Sequence, residues 1–146
     1  MFAFKLQTVL DARKTKEEQI LAEFTEQTRR LEKEKESLAQ MGMEKERLLD
    51  ELRAGKNRIL NPGDIDLQVS YIKAWNRKMA LQKNLVLTMA KELEKTRLAL
   101  LEMVRDRKIM ENLKERHWKE HLAQQSFQER LAADETAVQR YARREK

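Results

Sequence analysis

The chain has 146 residues, 38% of them charged and only 5% aromatic, with three Gly, one Pro and no Cys. The absence of Cys excludes disulfides, thiolate metal sites and a cysteine nucleophile, and so few turn residues leave room for roughly one real turn, which excludes a loop-rich globule with a deep pocket. The net charge of +6, from 31 basic and 25 acidic residues, is uneven: Lys73, Arg77, Lys78, Lys83 and Lys91 follow one another with no acid between Asp66 and Glu92, a basic face that invites an acidic partner.

The first predicted element is a helix over 3–54. From Leu6 to Leu52 a single heptad frame holds, with Leu10, Phe24, Leu31, Leu38 and Leu52 on one core position and Leu6, Ile20, Met41 and Leu48 on the other. Glu17, Gln27, Glu34 and Lys45 interrupt it; polar residues at core positions weaken a coil while fixing its register. A turn is expected over 55–63, where Gly55, Asn61, Pro62 and Gly63 gather. Asp64 then caps a second helix over 64–142, with Asp66 adding negative charge near its positive end.

In that helix Ile65, Ile72, Met79, Val86, Leu93 and Leu100 repeat every seven residues, with Trp75, Met89 and Met103 between them. Past Met103 the apolar set is expected to move to Met110, Leu113, Phe127, Leu131, Val138 and Tyr141, a rotation of the seam such as a stutter produces. The two helices would extend roughly 75 and 115 Å, so residues beyond roughly Glu115 overhang with an apolar stripe that has no intramolecular partner. The expected fold class is all-α: a long antiparallel two-helix coiled-coil hairpin with an overhanging C-terminal helix, forming a single coiled-coil domain over 1–146. No apolar run approaches the roughly 18 residues of a membrane span, and the first ten residues lack the pattern of a secretory signal, so a cytoplasmic protein is expected.

Few constellations carry chemistry. His117 and His121 share a helical face but lack an aligned third ligand and read as part of an amphipathic surface, so no metal or other cofactor is expected. The carboxylates lie on solvated helices, and no phosphate loop, Ser-His-Asp set or zinc motif is present, so no enzyme is expected. Met41, Met79, Met89, Met103 and Met110 fill the seam, and Met-rich coils can repack against a different helix. Tyr71 and Trp75 stand one turn apart beside Lys73, Arg77 and Lys78, which reads either as packing near the hairpin tip or as a protein-docking patch. The charge also admits nucleic acid, the weaker reading because Glu44, Glu46, Asp50 and Glu51 return along the first helix.

The opening Phe4-Lys5-Leu6-Gln7-Thr8-Val9-Leu10-Asp11-Ala12-Arg13, at the start of a chain of this size with a single hairpin turn, resembles the FliJ family of the bacterial flagellar type III export apparatus. The resemblance implies a non-enzymatic coiled coil, similar to the central stalk of rotary ATPases, that enters the ring of the export ATPase FliI, engages the export-gate protein FlhA and handles export chaperones. It implies a place at the flagellar base, peripheral to the inner membrane, and no nucleic acid. Positions matching the family's gate-binding face are Met41, Leu48, Tyr71, Trp75 and Gln82, to which the basic patch adds Arg77 and Lys78. Glu44 and Lys78 depart from the family, standing where an aromatic and a small residue are common. The ends would bind the ATPase ring through Phe4, Leu6, Leu10 and Arg13, with Leu131, Val138, Tyr141, Arg143 and Arg144 of the overhang. The readings from other classes are a nucleic-acid-binding coiled coil and a self-associating structural coiled coil.

Overall fold

The computed structural model describes residues 1–55 and 62–145. Two helices account for nearly all of them: α1, Gln7–Gly55, and α2, Pro62–Arg144, and among the described residues there is no strand. Both are built from residues of high helix propensity, chiefly Leu, Glu, Lys, Arg, Gln and Ala. Short-range ion pairs tie successive turns, among them Glu26 with Arg29 and Arg30, Glu94 with Arg97, and Glu115 with Lys119. Such exposed pairs contribute little, because solvent screens them, so the burial of the seam has to supply the rest.

The helix ends differ from expectation. Residues 1–6 stay outside α1, and the backbone N–H of Gln7 donates to the Phe4 carbonyl at 3.1 Å. At the other end α1 is described as far as Gly55, while Pro62 and Gly63 already belong to α2, with Asp64 inside its first turn. Proline at the first helical position loses no bond, because its missing N–H would have had no partner there. Asn61 and the rest of the expected turn, 56–61, lie outside the described residues.

The chain divides into two compact units. Unit 2, Gln19–Leu100, is an antiparallel pairing: Trp75 meets Met41 and Gln82 meets Glu34, so positions advance on one helix as they recede on the other. On α1 the covered positions run Ile20, Phe24, Gln27, Leu31, Glu34, Leu38, Met41, Lys45, Leu48 and Leu52. On α2 they run Gln68, Ile72, Trp75, Met79, Gln82, Val86, Met89, Leu93, Thr96 and Leu100. Both series step alternately by three and four, the spacing of a coiled-coil seam. Only Leu31 among them is buried; the rest are half-buried. Ile65, expected to begin the seam, is exposed.

Unit 1 comprises Met1–Glu18 and Leu101–Lys146 and holds most of the buried side chains. Phe4, Leu10 and Met110 are buried together, with Phe2 and Leu113 packed against them. The expected rotation of the seam past Met103 does not occur at that point: Met103, Arg107, Met110 and Lys114 keep the heptad spacing and are all at least half-buried. The apolar pattern misleads there because Arg107 and Lys114, both half-buried, occupy seam positions, where long side chains can bury their stems while the charged end stays polar-bound. Arg107 also donates to Glu17, itself a seam position on α1, and to both carboxylate oxygens of Glu111 at 3.0 and 2.9 Å. Those bonds, to Glu17 first and then Glu111, raise the pKa of the Arg107 guanidinium above its ordinary value.

The overhang also begins later than Glu115. Phe2 packs edge-on against Trp118 with ring centroids 5.1 Å apart and lies 5.4 Å from His121, while Phe4 packs edge-on against His117 at 5.6 Å. The non-helical N-terminal segment thus covers α2 as far as His121, and from Leu122 to Glu145 every residue but Ser126 is exposed.

Candidate partner-binding surfaces

The seven residues expected at the gate-facing surface all lie in unit 2, and the fold sorts them into two groups. Trp75 is a seam residue whose indole N–H donates to the Met41 carbonyl at 3.1 Å, which satisfies the one polar atom of a large half-buried ring. Gln82 turns inward too: its amide donates to the Glu34 carbonyl at 3.0 Å and the Glu34 carboxylate at 2.6 Å. Met41 and Leu48 are half-buried in the same seam. Tyr71, at 54% exposure, and Arg77 and Lys78 face solvent. The Lys78 ammonium sits 5.2 Å from the centroid of the Trp75 ring, a cation–π contact that ties an exposed charge to a seam aromatic. Beside Tyr71 lies an open groove of about 520 Å³, floored by Leu48, Leu52 and Ile72 and walled by Glu51, Leu67 and Tyr71.

The nine residues expected at the ATPase ring lie in unit 1 and are likewise divided. Phe4 and Leu10 are interior, at 8% and 1% exposure. The Arg13 guanidinium donates to the Asp106 carbonyl at 3.2 Å and is half-buried. These three hold the unit together. Leu6, Leu131, Val138 and Tyr141 are exposed, as are Arg143 and Arg144. With Phe127, the overhang residues Leu131, Val138 and Tyr141 repeat at spacings of four, seven and three, so they form one apolar face of α2 that no described residue covers. The basic pair Arg143 and Arg144 stands in the last turn, where positive charge complements the helix dipole.

Two features escaped the sequence reading. The aromatic clasp of Phe2 and Phe4 over His117, Trp118 and His121 carries no periodic signal, because residues 1–4 are not helical. The matched polar seam positions, Glu17 with Arg107 and Glu34 with Gln82, could have been found by pairing the interruptions of one heptad frame with those of the other. His117 and His121 serve as aromatic partners in that clasp, and no cluster of three metal-ligating side chains occurs among the described residues. None of the described helices is long and apolar enough to cross a membrane.

Comparison with known proteins places this arrangement. No curated protein and no solved structure matches the chain. A family model described as "Flagellar FliJ protein" matches residues 1–146, its whole length. The two-helix coiled coil therefore belongs to the FliJ family and is a component of the flagellar protein-export apparatus.

Proposed function

We propose that this FliJ-family protein is a non-catalytic adaptor of flagellar export, with unit 1 binding the ring of the export ATPase FliI as a central stalk does and unit 2 binding the export gate FlhA. Export chaperones are further partners of the same adaptor. Its place is the cytoplasm at the flagellar base, peripheral to the inner membrane.

The observation that carries the reading is the exposed apolar face of Phe127, Leu131, Val138 and Tyr141 at the end of α2, at 47–67% exposure. Apolar stripes of this kind persist in soluble chains where a partner covers them. The groove beside Tyr71, with the exposed Arg77 and Lys78 further along the same helix, supplies a second surface in the other unit. Because Phe4, Leu10 and Arg13 are occupied within unit 1, the ring contact falls on the overhang, and the N-terminal segment supports it by holding α2.

The test uses the full-length chain. Leu131→Asp and Val138→Asp change exposed positions and leave the helical fold and its melting temperature in place. They remove binding to FliI and any stimulation of its hydrolysis, while FlhA binding persists. Arg77→Glu with Lys78→Glu does the reverse. Full ATPase binding and stimulation by Leu131→Asp and Val138→Asp would overturn the stalk reading.

A further inference from the structure

Alongside its seam, α2 carries a second row of residues at coiled-coil spacing within unit 2. Leu67, Tyr71, Ala74, Lys78, Leu81 and Leu85 step by four, three, four, three and four, and all are exposed. Leu67 and Leu81 are each at 71% and Leu85 at 43%. A two-helix coiled coil needs one such row on each helix. The second row is the complement of a third helix, because only a helix places side chains at the same alternation of three and four along its partner.

The charges narrow the occupant. Lys78 stands in the row, and helical spacing sets Arg77 and Lys91 along its outer border, on a helix with no acid between Asp66 and Glu92. On the α1 side of the groove the acids are Glu44 and Glu51, and Arg47 draws Glu51 into an ion pair at 3.9 Å. The surface facing a third helix is therefore apolar toward both ends of the row and basic at its centre, through Lys78 and the flanking Arg77.

We infer that unit 2 takes up an amphipathic helix from its partner, apolar on one face and acidic along the edge facing Arg77 and Lys78, which docks on the row from Leu67 to Leu85 and completes a three-helix bundle. One large apolar side chain of that helix fills the groove beside Tyr71. The inference rests on the reading of unit 2 as the gate-binding surface and changes its membership. Leu67, Leu81 and Leu85 become contacts, whereas Gln82, whose amide is spent on Glu34, does not.

The chain contains no cysteine, so single cysteines give a clean footprint. Leu67→Cys, Ala74→Cys, Leu81→Cys and Leu85→Cys are labelled with a thiol reagent in the full-length protein, with and without the detergent-solubilised export-gate protein, beside Asn76→Cys, Ala80→Cys and Leu87→Cys on other faces of the helix. The expected result is protection at the first four positions only. Leu81→Asp and Leu85→Asp, both at exposed sites, each weaken binding roughly tenfold or more, and Gln82→Ala leaves it within about twofold once its helicity matches the parent's. If the parent binds the gate but the row is unprotected, or Leu81→Asp and Leu85→Asp bind as the parent does, the third-helix inference is wrong and the gate reading stands. If the parent does not bind the gate protein at all, both fail.

Discussion

Unit 1 and unit 2 pair segments of the same two helices with the same seam spacing, yet different physics holds them. Unit 1 concentrates its stabilisation in Phe4, Leu10 and Met110, three side chains at 8% exposure or less, closed over by an aromatic segment and by the Glu17–Arg107–Glu111 ion cluster. Unit 2 spreads its stabilisation over many half-buried layers, of which only Leu31 is buried. Full burial of a large aliphatic side chain contributes about 1.5–3 kcal/mol, and a half-buried layer proportionately less, so unit 2 gains stability by repetition. Unit 1 adds a contact outside the heptad repeat, with Phe2 and Phe4 folded back across α2.

The contrast predicts where damage is local. Phe4→Ala should be the most costly change, roughly 3–5 kcal/mol, and hydrogen exchange should show lost protection in α2 around Met110 while the seam near Leu31 keeps its own. Uniform loss along both units in urea unfolding and exchange would erase the distinction between them.

Arg107→Ala should come next, a smaller but measurable loss, because it leaves the half-buried Glu17 carboxylate without its partner. The double change Glu17→Leu with Arg107→Met should recover most of the loss in a double-mutant cycle. A cost equal to that of an exposed intrahelical pair would mean that the ion cluster adds nothing to unit 1.

Unit 2 offers a change of opposite sign. The Gln27 side-chain oxygen is buried without a partner, although its amide donates to Glu23 at 3.3 Å. Gln27→Leu should therefore stabilise the protein by about 1 kcal/mol, read as a higher denaturant midpoint. A lower midpoint would show that the amide is needed at that layer.

The smallest effect concerns pH. Hydrogen bonding from Arg29, followed by Arg30 and their charges, holds the Glu26 carboxyl at about 2, below its ordinary value of 4.5. A depressed carboxylate pKa contributes stability above the unfolded value that is lost as pH falls through the folded one. Because the pair is exposed, solvent screens most of it. Glu26→Gln should lie close to the parent in melting temperature at neutral pH, and the remaining gap should close between about pH 4.5 and pH 2. A large gap at neutral pH would assign this pair a structural weight that its exposure denies.

Much of this protein was legible in the order of its residues. Two helices, the α1 heptad frame from Leu10 to Leu52 and the unpartnered stripe of Leu131, Val138 and Tyr141 all follow from periodicity and from the scarcity of Gly and Pro. The opening segment carried the resemblance to FliJ that the family match upholds. Periodicity records only which side chains are apolar, so it read a shift where Arg107 and Lys114 continue the seam, and it could not separate the interior Phe4 and Leu10 from the exposed Tyr141. Tertiary packing decided those points. Burying Arg107 requires the opposing Glu17, and which aromatic residues are interior depends on Phe2 and Phe4 folding back to meet His117, Trp118 and His121. Such contacts join residues 90 or more positions apart, and their free energy exists only once the two helices are side by side.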